Sequence, residues 1–251
     1  MDINLSLEVA LFLFFIALVA SWVDVLAGGG GLITLPALLL VGVPPHSALA
    51  TNKLQASFGT LISSWYFIRK KIVNIKENKL MILMTLLGSV GGSWYALQVD
   101  ASFLNNILPF MLITIGFYYL YMPSTANIHR AKKVSYVLFS IMIASLLGFY
   151  DGFFGPGAGM LMGFSFVGLY GVSLLQATAY VKVLNFTSNI SSLSYFILFG
   201  NINYKLGLIM VAGQIIGASI GANMAIKYNS KLIKPVIVVV CFAMSILIFL
   251  K

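Results

Sequence analysis

The sequence predicts an all-α integral membrane protein of about eight transmembrane helices. They form two parallel four-helix repeats, each with a glycine-rich broken or re-entrant segment. Three observations lead there. The 251-residue chain is 60% hydrophobic and 8% charged, against roughly 25% charged for a soluble domain, so lipid must solvate most of its surface. Its apolar residues fall into runs of about 20, the length that crosses a bilayer. The second half places its few intramembrane charges as the first half does.

The composition also excludes disorder, because a chain with 19 Phe has ample apolar area to bury. The net charge of +9 is not a nucleic-acid footprint, since the 15 basic residues sit mostly in short loops and form no stripe interleaved with aromatics. Cys241 alone supplies neither an intrachain disulfide nor a thiolate cluster. No cofactor is expected.

The first apolar run, 5–25, follows a start with Asp2 and no Lys or Arg. It lacks the basic opening of a cleavable leader and reads as a retained span. Further runs occupy 46–68, 80–99, 103–122, 134–150, 174–199, 204–226 and 232–250. None alternates with period 2, so these are helices rather than barrel strands. Two shorter pieces, 32–43 and 160–170, each follow a glycine cluster and are too short to cross alone. The units are therefore 1–123 and 134–251, joined by a cytoplasmic loop at 124–133. Basic residues orient the chain. With the N-terminus inside, the inner loops receive Arg69, Lys70, Lys71, Lys76, Lys79, Arg130, Lys132, Lys133, Lys205 and Lys251, and the outer side only Lys227, Lys231 and Lys234. Both termini are expected in the cytoplasm.

Two lysines and two aspartates fall inside or at the end of apolar runs, where a charge costs about 2.5–3.5 kcal/mol on insertion scales. Asp24 matches Asp151 at an offset of 127, Gly31 matches Gly159 at 128, and Lys53 matches Lys182 at 129. Gly88 and Gly92 match Gly213 and Gly217 at 125 and read as close-packing faces without a part in transport. Each half has a helix-breaking glycine cluster, Ala27 to Gly31 and Gly155 to Gly159. A short helix restarting near Leu32 or Met160 would aim unpaired amides of Gly29, Gly30 and Gly31, or of Gly157 and Gly159, at an anion. A tight packing turn is the plainer alternative.

Lys53, Ser57, Thr60 and Ser64 share one helix face, as do Lys182, Asn185 and Asn189. Each lysine heads a polar stripe. Both lie about 24–27 Å from the inner helix ends at 1.5 Å per residue, so snorkelling to the outer interface is an alternative to a polar path. His46 and His129 lack partners at metal-ligand spacing, and no metal site is expected. The glycine runs lack the Gly-Lys-Ser/Thr of a nucleotide loop. Trp22, Trp65 and Trp94 lie near span ends, as interface anchors do.

The paired pattern resembles the TauE/SafE, or sulfite exporter (DUF81), family. The resemblance rests on the glycine breaks, the short apolar segments ending near Gly42 and Gly171, and the helix openings Ala48-Leu49-Ala50-Thr51-Asn52-Lys53 and Ala177-Thr178-Ala179-Tyr180-Val181-Lys182. In the second half Pro156, Ala158 and Tyr180 depart from the first-half pattern. The resemblance implies a bacterial inner-membrane carrier of small sulfur-containing anions such as sulfite or organosulfonates, and no catalysis. The expectation is thus a secondary active transporter, an exporter, for a small anion. Lys53, Lys182 and the break amides would hold the anion, with neutral hydrogen bonds from Asn52, Ser57, Thr60, Asn185 and Asn189. Asp24 and Asp151 would serve as countercharges or proton carriers. A passive anion channel is the alternative, and an intramembrane enzyme or assembly factor a more distant one.

Overall fold

The computed structural model describes residues 6–104 and 133–227, with 106, 107, 110, 113, 114 and 117. All regular structure among them is helical. The eighth expected span, most of the fourth, residues 124–132 of the connecting loop, Lys231, Lys234, Lys251 and Cys241 lie outside the described residues, His129, Arg130 and Lys132 among them.

Helix α1 (Leu7–Ala27) is opened by Ser6, whose hydroxyl accepts from Val9 N at 3.3 Å, with Glu8 in the positive first turn. It ends where Gly28 turns left-handed at φ 79° and donates to Asp24 O at 2.7 Å. The chain restarts as α2 (Gly31–Leu40), turns at Gly42 with φ 90°, and enters α3 (Pro45–Arg69) with a proline in its first turn. A 3-10 turn at Lys76–Asn78 leads into α4 (Lys79–Gln98).

The second half follows the same order. Helix α5 (Tyr136–Phe153) contains a π-helical stretch at Phe139–Ala144. After the Gly155–Gly159 break comes α6 (Ala158–Tyr170), which widens to a π-turn at Phe166–Tyr170 and stops at Gly171 with φ 78°. Helix α7 (Leu174–Phe199) opens with a capping box between Ser173 and Gln176, and α8 (Tyr204–Lys227) follows. The short helices begin at Gly31 and Ala158, one or two residues before the expected restarts.

By length and composition, α1, α4 with its preceding turn, α5 and α8 are able to cross a membrane. Helices α3 and α7 are longer, at 25 and 26 residues, but less apolar, since each carries a row of buried Ser, Thr and Asn. Their position accounts for that composition. They pack on each other at the centre, with α8 and α1 on the α3 side and α4 and α5 on the α7 side. The outer helices turn Phe15, Leu87, Leu146 and Leu208 outward, a surface suited to hydrocarbon.

The flanking pairs exchange partners between the halves: α1 packs on α8, and α5 packs on α4. Small residues permit the approach. A Cβ at Gly213 or Gly217 would strike the α1 carbonyls of Phe14 and Leu18, and one at Gly88 or Gly92 would strike those of Ser145 and Phe149. Trp22 differs from its expected role as an anchor, because its indole donates inward to Met224 Sδ at 3.2 Å across the α1–α8 contact. Trp65 and Trp94 are exposed, as interface anchors require.

Candidate functional site

The two glycine breaks meet in the middle of the molecule. A Cβ on Gly28 would lie 2.6 Å from Gly159 C, and one on Gly31 would lie 3.3 Å from Pro156 Cα. At Gly28 only a residue without a side chain lets the two backbones touch, and its left-handed φ adds a second reason for glycine; at Gly31 a side chain would be tightly placed.

The intramembrane charges are arranged around this contact, and they pair across it. Lys53 on α3 donates to Asp151 Oδ1 on α5 at 2.8 Å, and Lys182 on α7 donates to Asp24 Oδ2 on α1 at 2.7 Å. Each lysine is thus neutralised by the aspartate of the other half. Both are buried, at 2% and 1% exposure, so neither extends to an interface. The desolvation of four charges is offset by the pairing together with further hydrogen bonds to part of the network. Lys53 also donates to Asn189 Oδ1 at 3.1 Å, Lys182 to the Asp24 carbonyl, and Gly30 N to Asp24 Oδ1 at 3.1 Å.

A polar cavity of about 30 Å³ opens between the breaks and the central helices. That is room for about two waters. Asp24, Lys53 and Asp151 line it with backbone at Gly30, Gly31 and Gly159. Asn52, Thr60, Asn185 and Asn189 line it from α3 and α7. Ten of the residues singled out in the sequence therefore surround one space. Lys182 is held behind Asp24, and Gly29, Gly157 and Ser57 are likewise outside the lining.

Much of the stripe on α3 is committed to its own helix. Ser57 donates to Lys53 O at 2.7 Å, and Thr60 donates to Ala56 O at 2.7 Å. Ser64 crosses to α7 and donates to Lys182 O at 2.6 Å, fixing the two central helices at the level of the second lysine. Asn52 accepts from Thr34 at 2.6 Å and from Gln55 at 2.7 Å, which ties α2 to α3. His46 contacts Val99 O at 2.8 Å at the α3–α4 end, away from the cavity lining.

Two polar side chains in the lining lie outside the sequence-derived set. Gln55 falls off the lysine stripe, and Gln214 sits in an otherwise apolar stretch of α8. An uncharged amide inside an apolar run was the available signal for both. Three buried oxygens at the site, Asp151 Oδ2, Asn185 Oδ1 and Gln55 Oε1, have no hydrogen-bond partner among the described residues. Unlike the rest of the site, they are acceptors awaiting a donor.

A helical bundle with an apolar exterior, four crossed charges and a polar cavity at two helix breaks fits a multi-pass membrane protein of the transporter class. The sulfite exporter TauE/SafE family profile matches residues 13–248, and the chain belongs to that family. It is 44% identical to a probable membrane transporter protein of Haemophilus influenzae over 98% of this chain and 95% of the relative. It is 45% identical to the probable membrane transporter protein YfcA of Escherichia coli strain K12, over 93% and 87%. A third relative, the probable membrane transporter protein ORF9 of a Sinorhizobium species, is 41% identical over 97% and 93%. No solved structure matches the chain.

Proposed function

We propose that this protein is a secondary active transporter, an exporter, of a small anion, and that the anion is sulfur-containing, such as sulfite or an organosulfonate. The observation that carries the reading is the pair of crossed ion pairs, Lys53–Asp151 and Lys182–Asp24, placed where the two helix breaks meet around a polar cavity. Two cations this deep in an apolar bundle are costly, and a carrier has a use for them. Displacing an aspartate from its lysine frees a cation for an external anion, while α2 and α6 point their N-terminal ends toward the centre. Pairing across the halves also supports alternating access, because an anion exchanged for an aspartate changes what holds one half to the other.

In this reading the chain has eight spans in two parallel repeats, 1–123 and 134–251, with a cytoplasmic joint at 124–133. It lies in the inner membrane with both termini inside, as its basic loops favour. It is a carrier without a cofactor or catalytic chemistry.

The test is flux of labelled sulfite in proteoliposomes with Lys53→Gln and Lys182→Gln, each shown to insert normally. Loss of flux in both supports the site, and full retention in both overturns it. Saturable uphill movement distinguishes a carrier from a channel, which would conduct without coupling.

A further inference from the structure

The two ion pairs are related in sequence but not equivalent in chemistry. Both oxygens of Asp24 are engaged, Oδ1 by Gly30 N at 3.1 Å and Oδ2 by Lys182 at 2.7 Å, and Lys182 also reaches the Asp24 carbonyl. Asp151 is bound through Oδ1 alone, to Lys53 at 2.8 Å, while its buried Oδ2 has no partner among the described residues. The backbone amides of the two breaks are directed differently. In the first break the Gly30 amide is available to cap Asp24. In the second, Pro156 and Ala158 interrupt the glycine run, and the Ala158 amide turns instead onto Gly155 O at 3.0 Å.

The geometry points to Asp151 Oδ2 as the binding site of a coupling proton, with Lys53 as the cation that its protonation releases to the transported anion and Asp24–Lys182 as the fixed pair. This rests on the anion-carrier reading above. Charge balance requires a coupled cation. Two lysines and two aspartates sum to zero, so a monoanion entering alone would leave a net buried charge, which is expensive in low dielectric. One proton added to Oδ2 makes Asp151 a neutral acid, Lys53 keeps its charge, and the incoming monoanion restores neutrality. Release of the anion and the proton re-forms the original pair; since the two travel together, export runs when the outward gradient of the anion exceeds the inward gradient of the proton.

The surroundings suit a proton at this oxygen. Protonation turns an orphaned acceptor into an O–H donor, and two acceptors that lack donors, Asn185 Oδ1 and Gln55 Oε1, belong to residues lining the same cavity. Gly155 passes over the pair with φ 96°, where an added Cβ would lie 3.4 Å from both Lys53 Nζ and Asp151 Oδ1. The charged groups around Asp151 are few. Lys53 faces it from α3, Asp24 lines the cavity from α1, and Lys182 of α7 is engaged by Asp24. On its own helix Tyr150 donates to Pro156 O at 2.7 Å. The titratable residues of α4 and α6, Lys79, Tyr95 and Tyr170, are not in the lining, and Gln214 of α8 is neutral.

Calorimetric titration of the purified full-length protein with sulfite and with methanesulfonate, in buffers of differing ionisation enthalpy, counts the protons taken up with each anion. Methanesulfonate keeps one charge through the neutral range, so its count belongs to the protein. Wild type is expected to take up about one proton per anion, with affinity falling about tenfold for each pH unit of alkalinisation. Asp151→Asn is expected to bind without proton uptake and without that pH dependence. Anion binding by wild type with no proton uptake and a flat pH profile overturns this assignment and leaves the carrier reading intact. Unchanged proton uptake in D151N also overturns it. Binding of neither probe by folded wild type overturns the carrier reading, and this inference with it. The wild-type pH profile decides the matter should D151N fail to fold.

Discussion

At Lys53 the contacts with Asp151 and Asn189 hold an ammonium in a place where water is scarce. Removing one partner of such a pair strands the other, at a cost of about 3–5 kcal/mol, whereas replacing both with apolar groups of similar shape is often neutral or stabilising. Lys53→Ala is therefore expected to lower the thermal midpoint in detergent. Lys53→Met with Asp151→Leu is expected to recover most of it. The same argument fixes connectivity: a double-mutant cycle on stability should show strong coupling between Lys53 and Asp151 and weak coupling between Lys53 and Asp24. Equal coupling to both aspartates would contradict the crossed pairing.

Among the helices, backbone proximity sets what each glycine tolerates. Gly92 faces the α5 carbonyl of Phe149, while a Cβ on its neighbour Gly91 would meet only Phe149 Cδ2 at an ordinary 3.7 Å. Gly92→Ala should force α4 and α5 apart and destabilise by about 1–3 kcal/mol, whereas Gly91→Ala should be neutral or stabilise by up to about 1 kcal/mol through helix propensity. Thermal unfolding of the two variants side by side checks this, and equal destabilisation would refute it. Gly28→Ala carries two penalties, a left-handed φ of 79° and a clash with Gly159. It is expected to impair assembly of both breaks at once.

For the whole molecule, the basic loops predict that Lys70 and Lys205 lie on the cytoplasmic side and Val99, beside His46, on the other. Single cysteines at those positions in a chain with Cys241 replaced should label from opposite faces with a membrane-impermeant thiol reagent. Labelling of all three from one face would reject the topology. Much of the architecture was open to reading in the chain itself, for a definite reason. Lys53, Lys182, Asp24 and Asp151 stand out because a charge in an apolar run is costly, and the breaks stand out because glycine so dense cannot continue a helix. Partner choice was not open to reading in this way. Nothing in the spacing tells whether Lys53 takes Asp24 or Asp151, since that depends on α1 packing on α8 and α5 on α4, contacts between distant segments. Gln55 and Gln214 escaped because neutral amides cost less to bury than charges and lie off the lysine stripe. The inequality of the two aspartates was visible only as Pro156 and Ala158, whose effect on an amide's direction takes coordinates to see.

The central claim is that the cavity between the crossed pairs holds a small anion. The most direct measurement is the sulfite-dependent shift in thermal midpoint of purified wild-type protein and of the Lys53→Met, Asp151→Leu variant, which lacks one of the two ion pairs and is expected to fold. A ligand that binds the folded state stabilises it by mass action. A concentration-dependent rise is expected for wild type and none for the variant; an equal rise in both would contradict anion binding in this cavity.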